Sequence, residues 1–95
     1  MKTIKIDQLL ELKNPIIIDI RHNIDYKNNH IPTAINIPYY KLKRNYKHYL
    51  NHIDIYYLYC DYGKKSQELC NYLNNKNYNT ISIKNGFNSY EKKSI

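Results

Sequence analysis

Short apolar runs are the feature that most restricts how this chain can fold. The isoleucine-rich run Ile16–Ile20 and the run Ile55–Cys60 are the clearest, and the second is the longest uninterrupted apolar or aromatic stretch. A parallel strand that is buried on both faces has this pattern, whereas a membrane-spanning helix needs about 20 apolar residues. The two runs therefore predict buried parallel strands, and no membrane partner is expected.

Segments with helical spacing alternate with the predicted strands. Asp7 is expected to cap a first helix, which Asn14-Pro15 ends. This alternation predicts an α/β fold with a central, mainly parallel sheet of about four to five strands flanked by helices. The further predicted strands are Thr3–Ile6, Ala34–Ile37 and Thr80–Ile83, and the further helices are Asn23–Asn29, Lys41–Leu50, Lys64–Lys76 and a short one with Phe87 and Tyr90.

Length and composition narrow the class of protein. The chain has 95 residues, the size of one domain, and a formal net charge of +7. Ile, Asn, Lys and Tyr make up 54 of the 95 residues. All four have A/T-rich codons, so base composition explains the skew without a negatively charged partner.

Acidic residues and cysteine count argue against a secreted or metal-binding protein. Asp7 and Glu11 interrupt any apolar core of a signal peptide, and two cysteines cannot form a disulfide framework. No Cys/His spacing resembles a zinc site, and no metal or cofactor is expected. We therefore predict a cytoplasmic protein.

The segment after the strongest strand carries the chemistry. Cys60 ends Ile55–Cys60, at the edge of the sheet where α/β proteins bind ligands. Gly63 permits a tight turn into the next helix, so backbone N–H groups and the helix dipole can surround the sulfur. These groups favour a thiolate and an anionic substrate. A buried, purely structural cysteine at the end of a strand is the alternative reading.

This loop resembles the active-site loop of single-domain rhodanese-like sulfurtransferases, commonly Cys-Arg-x-Gly-x-Arg-Ser. Two further motifs agree in order: residues 18–38, which contain Asp-Ile-Arg and His-Ile-Pro-Thr-Ala-Ile-Asn-Ile-Pro, and Asn85-Gly86-Phe87 with Tyr90. The resemblance covers Thr3 to Lys92. It implies Cys60 as the catalytic nucleophile and a substrate- and persulfide-binding loop formed by Asp61, Tyr62, Gly63, Lys64, Lys65 and Ser66.

The resemblance implies a double displacement. A small anionic sulfur donor, thiosulfate or a persulfide, would load a Cys60 persulfide, and cyanide, a small thiol or a protein thiol would accept the sulfur. Asp61 and Lys65 stand where the family commonly has Arg, which puts efficiency and donor preference in question. A related branch that acts on phosphate esters has a loop one residue longer ending in Arg, so phosphatase chemistry is not expected.

For several other residues, a structural role explains the sequence as well as or better than a direct role in catalysis. Asp19 and Arg21 are placed beside the pocket as supporting residues, where they fit a structural ion pair at least as well as a direct role. His30 is expected to be hydrogen-bonded, and Cys70 to lie in the core beside Leu69 and Leu73. Ser66 is expected to bond a loop amide or to cap the helix. A small domain of this kind is expected to be a monomer or a weak dimer.

Features of the sequence also suggest two other function classes. Basic residues interleave with Tyr46 and Tyr49 in the predicted helix Lys41–Leu50, as in proteins that bind single-stranded nucleic acid. Both tyrosines fall on its apolar face with Leu42 and Leu50, so the charges are expected to form a solvated surface. The other alternative is a non-catalytic module that senses persulfide or binds a protein; Asp61 favours it and Cys60 opposes it.

Overall fold

The computed structural model describes residues 2–93, so the two ends of the predicted domain, Met1 and Ser94–Ile95, lie outside the described part. Strands and helices alternate along the chain as predicted. The strands are β1 (Thr3–Ile4), β2 (Ile16–Asp19), β3 (Ile35–Asn36), β4 (Ile55–Tyr59) and β5 (Asn79–Ile83). The helices are α1 (Ile6–Leu10), α2 (Asn23–Asn28), α3 (Tyr39–Arg44), α4 (Tyr46–Tyr49), α5 (Lys64–Asn74) and α6 (Gly86–Lys93).

The strands form one parallel sheet in the order β1-β5-β4-β2-β3. β4 occupies the centre, and Leu58 within it pairs with Ile18 of β2 on one side and Ser82 of β5 on the other. The edge strands β1 and β3 have only two residues each. The prediction of a mainly parallel sheet flanked by helices is confirmed.

Hydrophobic side chains cover both faces of this sheet. Successive strand residues point to opposite faces, so Ile18 and Leu58 belong to one core and Ile17 and Tyr59 to the other. Helices α3, α4 and α5 close the first core, and α1, α2 and α6 pack against the second. Isoleucine runs thus form the buried strands, as the pattern predicts for a sheet covered on both sides.

The predicted helix Lys41–Leu50 is wrong in its continuity. The structure divides it at Asn45, whose backbone angles are φ −120° and ψ 32°, and the Asn45 side chain donates to the Lys41 carbonyl at 3.1 Å. An asparagine side chain that bonds the backbone competes with the helix, which explains the break. The apolar face survives: Leu42 and Leu50 are buried.

The predicted cap of the first helix is also wrong. The helix begins at Ile6 because that side chain is drawn into the core, so Asp7 lies inside the first turn and Lys5 takes the N-cap position. The Gln8 side chain accepts the Lys5 backbone N–H at 3.2 Å. Asp7 instead pairs with Lys93 of α6 at 2.6 Å. None of the helices within residues 2–93 is long and apolar enough to cross a membrane.

Candidate active site

The loop that follows β4 turns directly into α5. Cys60 comes immediately after β4, and Gly63 is the N-cap residue of α5 with φ 105°, in the region that favours glycine. A Cβ atom at Gly63 would lie 3.1 Å from the Asn85 backbone nitrogen, so space as well as conformation favours glycine here. The tight turn brings the first N–H groups of α5 back toward Cys60.

Two backbone donors hold the Cys60 sulfur. The N–H of Gly63 lies 3.1 Å from Sγ and that of Ser66 lies 3.3 Å from it. Only 7% of Cys60 is exposed to solvent. Both amides and the positive end of the α5 dipole favour negative charge on this sulfur, as in a thiolate.

The Ser66 hydroxyl fixes the inner side of the loop. It donates to the Gly63 carbonyl at 3.1 Å and lies 2.6 Å from the Ser82 hydroxyl of β5, while the Cys60 thiol donates to it at 3.6 Å. Ser66 is completely buried. The predicted bond to a loop amide or helix cap is wrong: the Ser66 hydroxyl donates to the Gly63 carbonyl instead, and α5 has no side-chain cap.

The start of α6 holds the outer side of the loop. The backbone N–H of Phe87 donates to the Cys60 carbonyl at 2.8 Å, and that of Asn88 donates to the Asp61 carbonyl at 3.0 Å. The backbones of the loop and of α6 approach so closely that a Cβ on Gly86 would lie 2.2 Å from the Cys60 carbonyl oxygen. The Gly86-Phe87 motif therefore acts as a clamp on the nucleophile loop.

A cavity of about 280 Å³ opens in front of Cys60. Its walls combine an aromatic and aliphatic side with charged groups of both signs. They are formed by Ile20, Arg21, His22, Asp25, Pro38, Tyr39, Tyr40, Cys60, Asp61 and Lys65. A small ligand can reach the sulfur from this side.

The predicted loop residues do not all reach this cavity. Lys65 lines it and places its ammonium 5.0 Å from the centre of the Tyr39 ring. Lys64 and Tyr62 do not line it, and 73% of Tyr62 is exposed. Of the two predicted lysines, therefore, only Lys65 lies where it can meet an anionic donor.

Asp19 and Arg21 form the expected ion pair beneath the cavity. Arg21 Nη2 lies 2.8 Å from Asp19 Oδ2 and 2.7 Å from the Asn29 carbonyl, and both side chains are buried. The Tyr59 hydroxyl donates to Asp19 Oδ2 at 2.8 Å and accepts the Ile31 N–H at 3.1 Å. Burial raises the pKa of Tyr59 far above its usual value, so the phenol stays protonated.

Arg21 also connects this buried pair to the catalytic loop. Its guanidinium lies 4.1 Å from the centre of the Phe87 ring, and its Nη1 is 3.8 Å from Asp61 Oδ1. Burial alone lowers the pKa of Arg21, but the hydrogen bond and charge of Asp19 outweigh it and raise the pKa overall. The arginine is therefore a permanent cation at the cavity wall.

Other sequence predictions have clear structural outcomes. Cys70 is buried in the core as expected, and burial raises the pKa of its thiol to about 11, so it is protonated at neutral pH. His30 Nδ1 lies 2.8 Å from the Tyr26 carbonyl and its ring stacks on Tyr26. Within residues 2–93, no group of three His, Cys, Asp or Glu side chains is arranged to hold a metal ion.

Sequence reasoning missed two aromatic residues of the site. Tyr39 forms the cavity wall opposite the loop, and the Tyr59 hydroxyl donates to the Asp19 carboxylate of the Asp19–Arg21 ion pair. Tyr39 directly follows Pro38 and lies on the same helix face as Leu42, three residues later, so its pattern resembles that of a core residue. No local pattern marks Tyr59, because its partner Asp19 is 40 residues away.

A family model described as a rhodanese-like domain matches residues 4–93. The chain belongs to the rhodanese-like domain family. Among curated relatives, a probable molybdopterin-synthase adenylyltransferase of Porphyra purpurea is 32% identical over 76 residues, which are 79% of this chain and 20% of that protein. This rhodanese-like chain spans a fifth to a quarter of the length of the first curated relatives it matches.

Solved structures show the same fold. A rhodanese-like domain protein from Staphylococcus aureus is 28% identical with a TM-score of 0.84, and the match covers 95% of this chain and 91% of that one. A rhodanese-related protein from Thermoplasma volcanium has a TM-score of 0.90 at 23% identity, with coverage of 98% and 93%. The rhodanese-like fold therefore extends over almost the whole chain.

Proposed function

We propose that this rhodanese-like domain is a sulfurtransferase that carries a sulfane sulfur on Cys60. One observation carries the proposal: the Cys60 sulfur accepts two backbone N–H groups at the start of α5 and faces an open cavity. A sulfur held in this way is stabilised as a thiolate, which is the form that attacks a sulfur donor. A purely structural cysteine needs neither the donors nor the cavity.

The first step loads the enzyme. The Cys60 thiolate attacks the outer sulfur of a donor such as thiosulfate, a new S–S bond forms to Cys60, and the donor's own S–S bond breaks. Sulfite leaves from thiosulfate, and a thiolate leaves from a persulfide donor. Lys65 and Arg21 at the cavity wall attract the anionic donor and stabilise the leaving group.

The second step unloads the enzyme. A nucleophilic acceptor, cyanide or a thiolate, attacks the terminal sulfur of the Cys60 persulfide, and Cys60 departs as a thiolate that can react again. The Gly63 and Ser66 amides stabilise the Cys60 thiolate that begins the first step and leaves in the second, while the negative charge of the intermediate persulfide lies on its outer sulfur. No external oxidant or reductant is required.

Intact-protein mass spectrometry tests the proposal. After treatment with thiosulfate or cysteine persulfide, we expect the mass to rise by one sulfur atom and to return to its starting value on addition of cyanide. Cys60→Ser should abolish the addition. Cys70→Ser is the matched control and should load normally, because Cys70 is buried and protonated at neutral pH.

The same experiment separates the enzyme from a persulfide-sensing module. A protein that loads but keeps its sulfur in the presence of cyanide and thiol acceptors would be a sensor. If Cys60 gains no sulfur from thiosulfate, cysteine persulfide or polysulfide, the sulfurtransferase function is wrong.

A further inference from the structure

Three lysines and three tyrosine rings alternate across the surface beside the active site. Each ammonium lies between 4.9 and 5.8 Å from the centre of each ring it contacts, within the range of a cation–π interaction. We call this array the lysine–tyrosine ladder. From the cavity outward, its members are Lys65, Tyr39, Lys43, Tyr72, Lys76 and Tyr46.

The ladder begins at the active-site cavity. Lys65 and Tyr39 both line the cavity that holds Cys60, and Lys43 and Tyr72 continue from them along the facing sides of α3 and α5. Tyr39, Tyr46 and Tyr72 are half-buried and pack against the core. The rings are therefore fixed, and they hold the ammonium groups in a row that leads to the nucleophile.

The positive charge of the ladder is not neutralised by its surroundings. Lys43, Lys65 and Lys76 form no ion pair with a carboxylate within residues 2–93. The stretch Tyr26–Ile53, which contains α3 and α4, has no Asp or Glu, and neither has Leu69–Tyr90. Glu68 on α5 is exposed one turn from Lys65, so the uncompensated charge of the ladder is greatest at Lys43 and Lys76. A row of ordered cations that form no ion pairs is complementary to a surface of carboxylates.

We infer that the lysine–tyrosine ladder docks an acidic protein whose exposed thiol exchanges sulfur with Cys60. The inference rests on the proposed function, because it names the acceptor. Transfer to such a thiol forms an S–S bond to the partner's sulfur, breaks the one in the Cys60 persulfide, and releases the Cys60 thiolate. Single-stranded nucleic acid is a poorer fit, because ammonium groups already cover ring faces on which bases would stack.

A transfer assay with synthetic peptides tests this inference. The probe is a short glutamate-rich peptide ending in one cysteine, with a serine/glycine peptide of the same length and cysteine position as reference. From pre-loaded Cys60, we expect transfer to the acidic peptide to be about three- to tenfold faster at low salt, because opposite charges accelerate association. The difference should vanish at high salt, where the charges are screened.

Two double variants of equal charge test whether the preference for the acidic peptide arises from the ladder. Lys43→Gln with Lys76→Gln removes two charges from the ladder without altering the cavity wall, and should abolish the preference while leaving transfer to cyanide unchanged. Lys13→Gln with Lys92→Gln removes the same charge elsewhere, from the loop after α1 and the last turn of α6, and should keep the preference. Thermal unfolding of all variants checks that they are folded.

Three results would overturn the inference. One is equal transfer to the acidic and neutral peptides; another is a preference that persists in the Lys43→Gln/Lys76→Gln variant. The third is tight binding of labelled oligouridylate that the ladder variant loses while acidic-peptide binding is weak, which would assign the surface to nucleic acid. Fluorescence anisotropy with a cysteine-capped acidic peptide measures docking without sulfur transfer, so failure of Cys60 to load is distinguishable from failure of the ladder to bind.

Discussion

Asp61 sets the electrostatic character of the site at the scale of a single residue. It follows the nucleophile directly, lines the cavity, and its side chain is 62% exposed, 3.8 Å from the Arg21 guanidinium. Arg21 is already engaged by buried Asp19, so it only partly compensates a second carboxylate. The cavity wall therefore holds a negative charge on the path of an anionic donor.

Neutralising this charge should favour thiosulfate. We expect Asp61→Asn to raise the rate at which thiosulfate loads Cys60 by about threefold to tenfold at low salt, since a dianion no longer passes a carboxylate. The rate is measured by stopping the loading reaction at successive times and determining the loaded fraction of the protein by mass spectrometry. Asp7→Asn removes an equal charge on α1 and should leave the rate unchanged. A rate that does not respond to Asp61→Asn at any salt concentration would show that Asp61 does not influence the donor.

Contacts of the site between residues close in sequence could be predicted, whereas contacts that depend on how distant elements pack could not. The Cys60–Ser66 turn follows from a strand, a glycine and a helix start, all within seven residues. Which lysine faces the cavity depends on the rotation of α5 against Tyr39 on α3, and no local pattern encodes that rotation. The sequence therefore predicted both Lys64 and Lys65, and the structure places only Lys65 at the cavity.

At the scale of elements, α6 determines how rigid the nucleophile loop is. In its first turn, the backbone N–H groups of Phe87 and Asn88 donate to the carbonyls of Cys60 and Asp61. Gly86 makes this approach possible, with φ 52° and no side chain. A helix distant in sequence thereby holds the two peptide groups that follow the catalytic cysteine.

Gly86→Ala should push the start of α6 away from the loop that carries Cys60. A Cβ 2.2 Å from the Cys60 carbonyl oxygen forces the backbones apart, and the positive φ adds strain, so we expect a loss of about 1–3 kcal/mol in the free energy of unfolding. Loading of Cys60 should slow at least about tenfold, because displaced amides no longer stabilise the sulfur anion. Denaturant titration and loading rates measure the two effects.

Asn88→Ala is the control for this prediction. It keeps the backbone N–H that bonds Asp61 and should retain both stability and loading. If Gly86→Ala loads at the normal rate, the clamp is not needed for chemistry.

Helix and strand order could be read from periodicity, whereas the breaks within an element could not. The apolar face of residues 42–50 is continuous in sequence, yet the Asn45 side chain bonds the Lys41 carbonyl and the helix divides there. Asparagine is tolerated in helices and also ends them, so only the surrounding structure decides between the two.

At the scale of the whole molecule, the buried Asp19 carboxylate links parts of the fold that are far apart in sequence. Tyr59 on β4 and Arg21 after β2 both bond it, and Tyr59 also accepts the Ile31 N–H. Each buried polar group here depends on the others for a partner, so loss of one affects stability more than its single hydrogen bond suggests.

Tyr59→Phe tests this link. It leaves the Ile31 N–H unpaired in the core and removes one donor to Asp19, so we expect a loss of about 1–3 kcal/mol in the free energy of unfolding. Tyr62→Phe removes a hydroxyl from an exposed ring and should change stability by less than about 0.5 kcal/mol. Urea titration of both variants provides the comparison.

The difference in unfolding free energy between the wild-type protein and Tyr59→Phe should also depend on pH. Burial raises the pKa of Tyr59 above the value of about 10 that the unfolded chain has, so the phenol stabilises the fold fully below about pH 10. Above that pH the unfolded chain releases the proton first, and the advantage of the wild-type protein over Tyr59→Phe should shrink. A difference that grows with pH above 10 would contradict the protonated, buried phenol.

The short edges of the sheet affect how this chain behaves in a crowded solution. An edge strand exposes unpaired N–H and C=O groups that can template pairing with another molecule, and Ile- and Tyr-rich segments are prone to such aggregation. Here the longest strands lie inside the sheet, and the edges β1 and β3 expose only two residues each. The topology that places Cys60 at the end of the central strand also keeps the segments most prone to amyloid-like stacking out of reach.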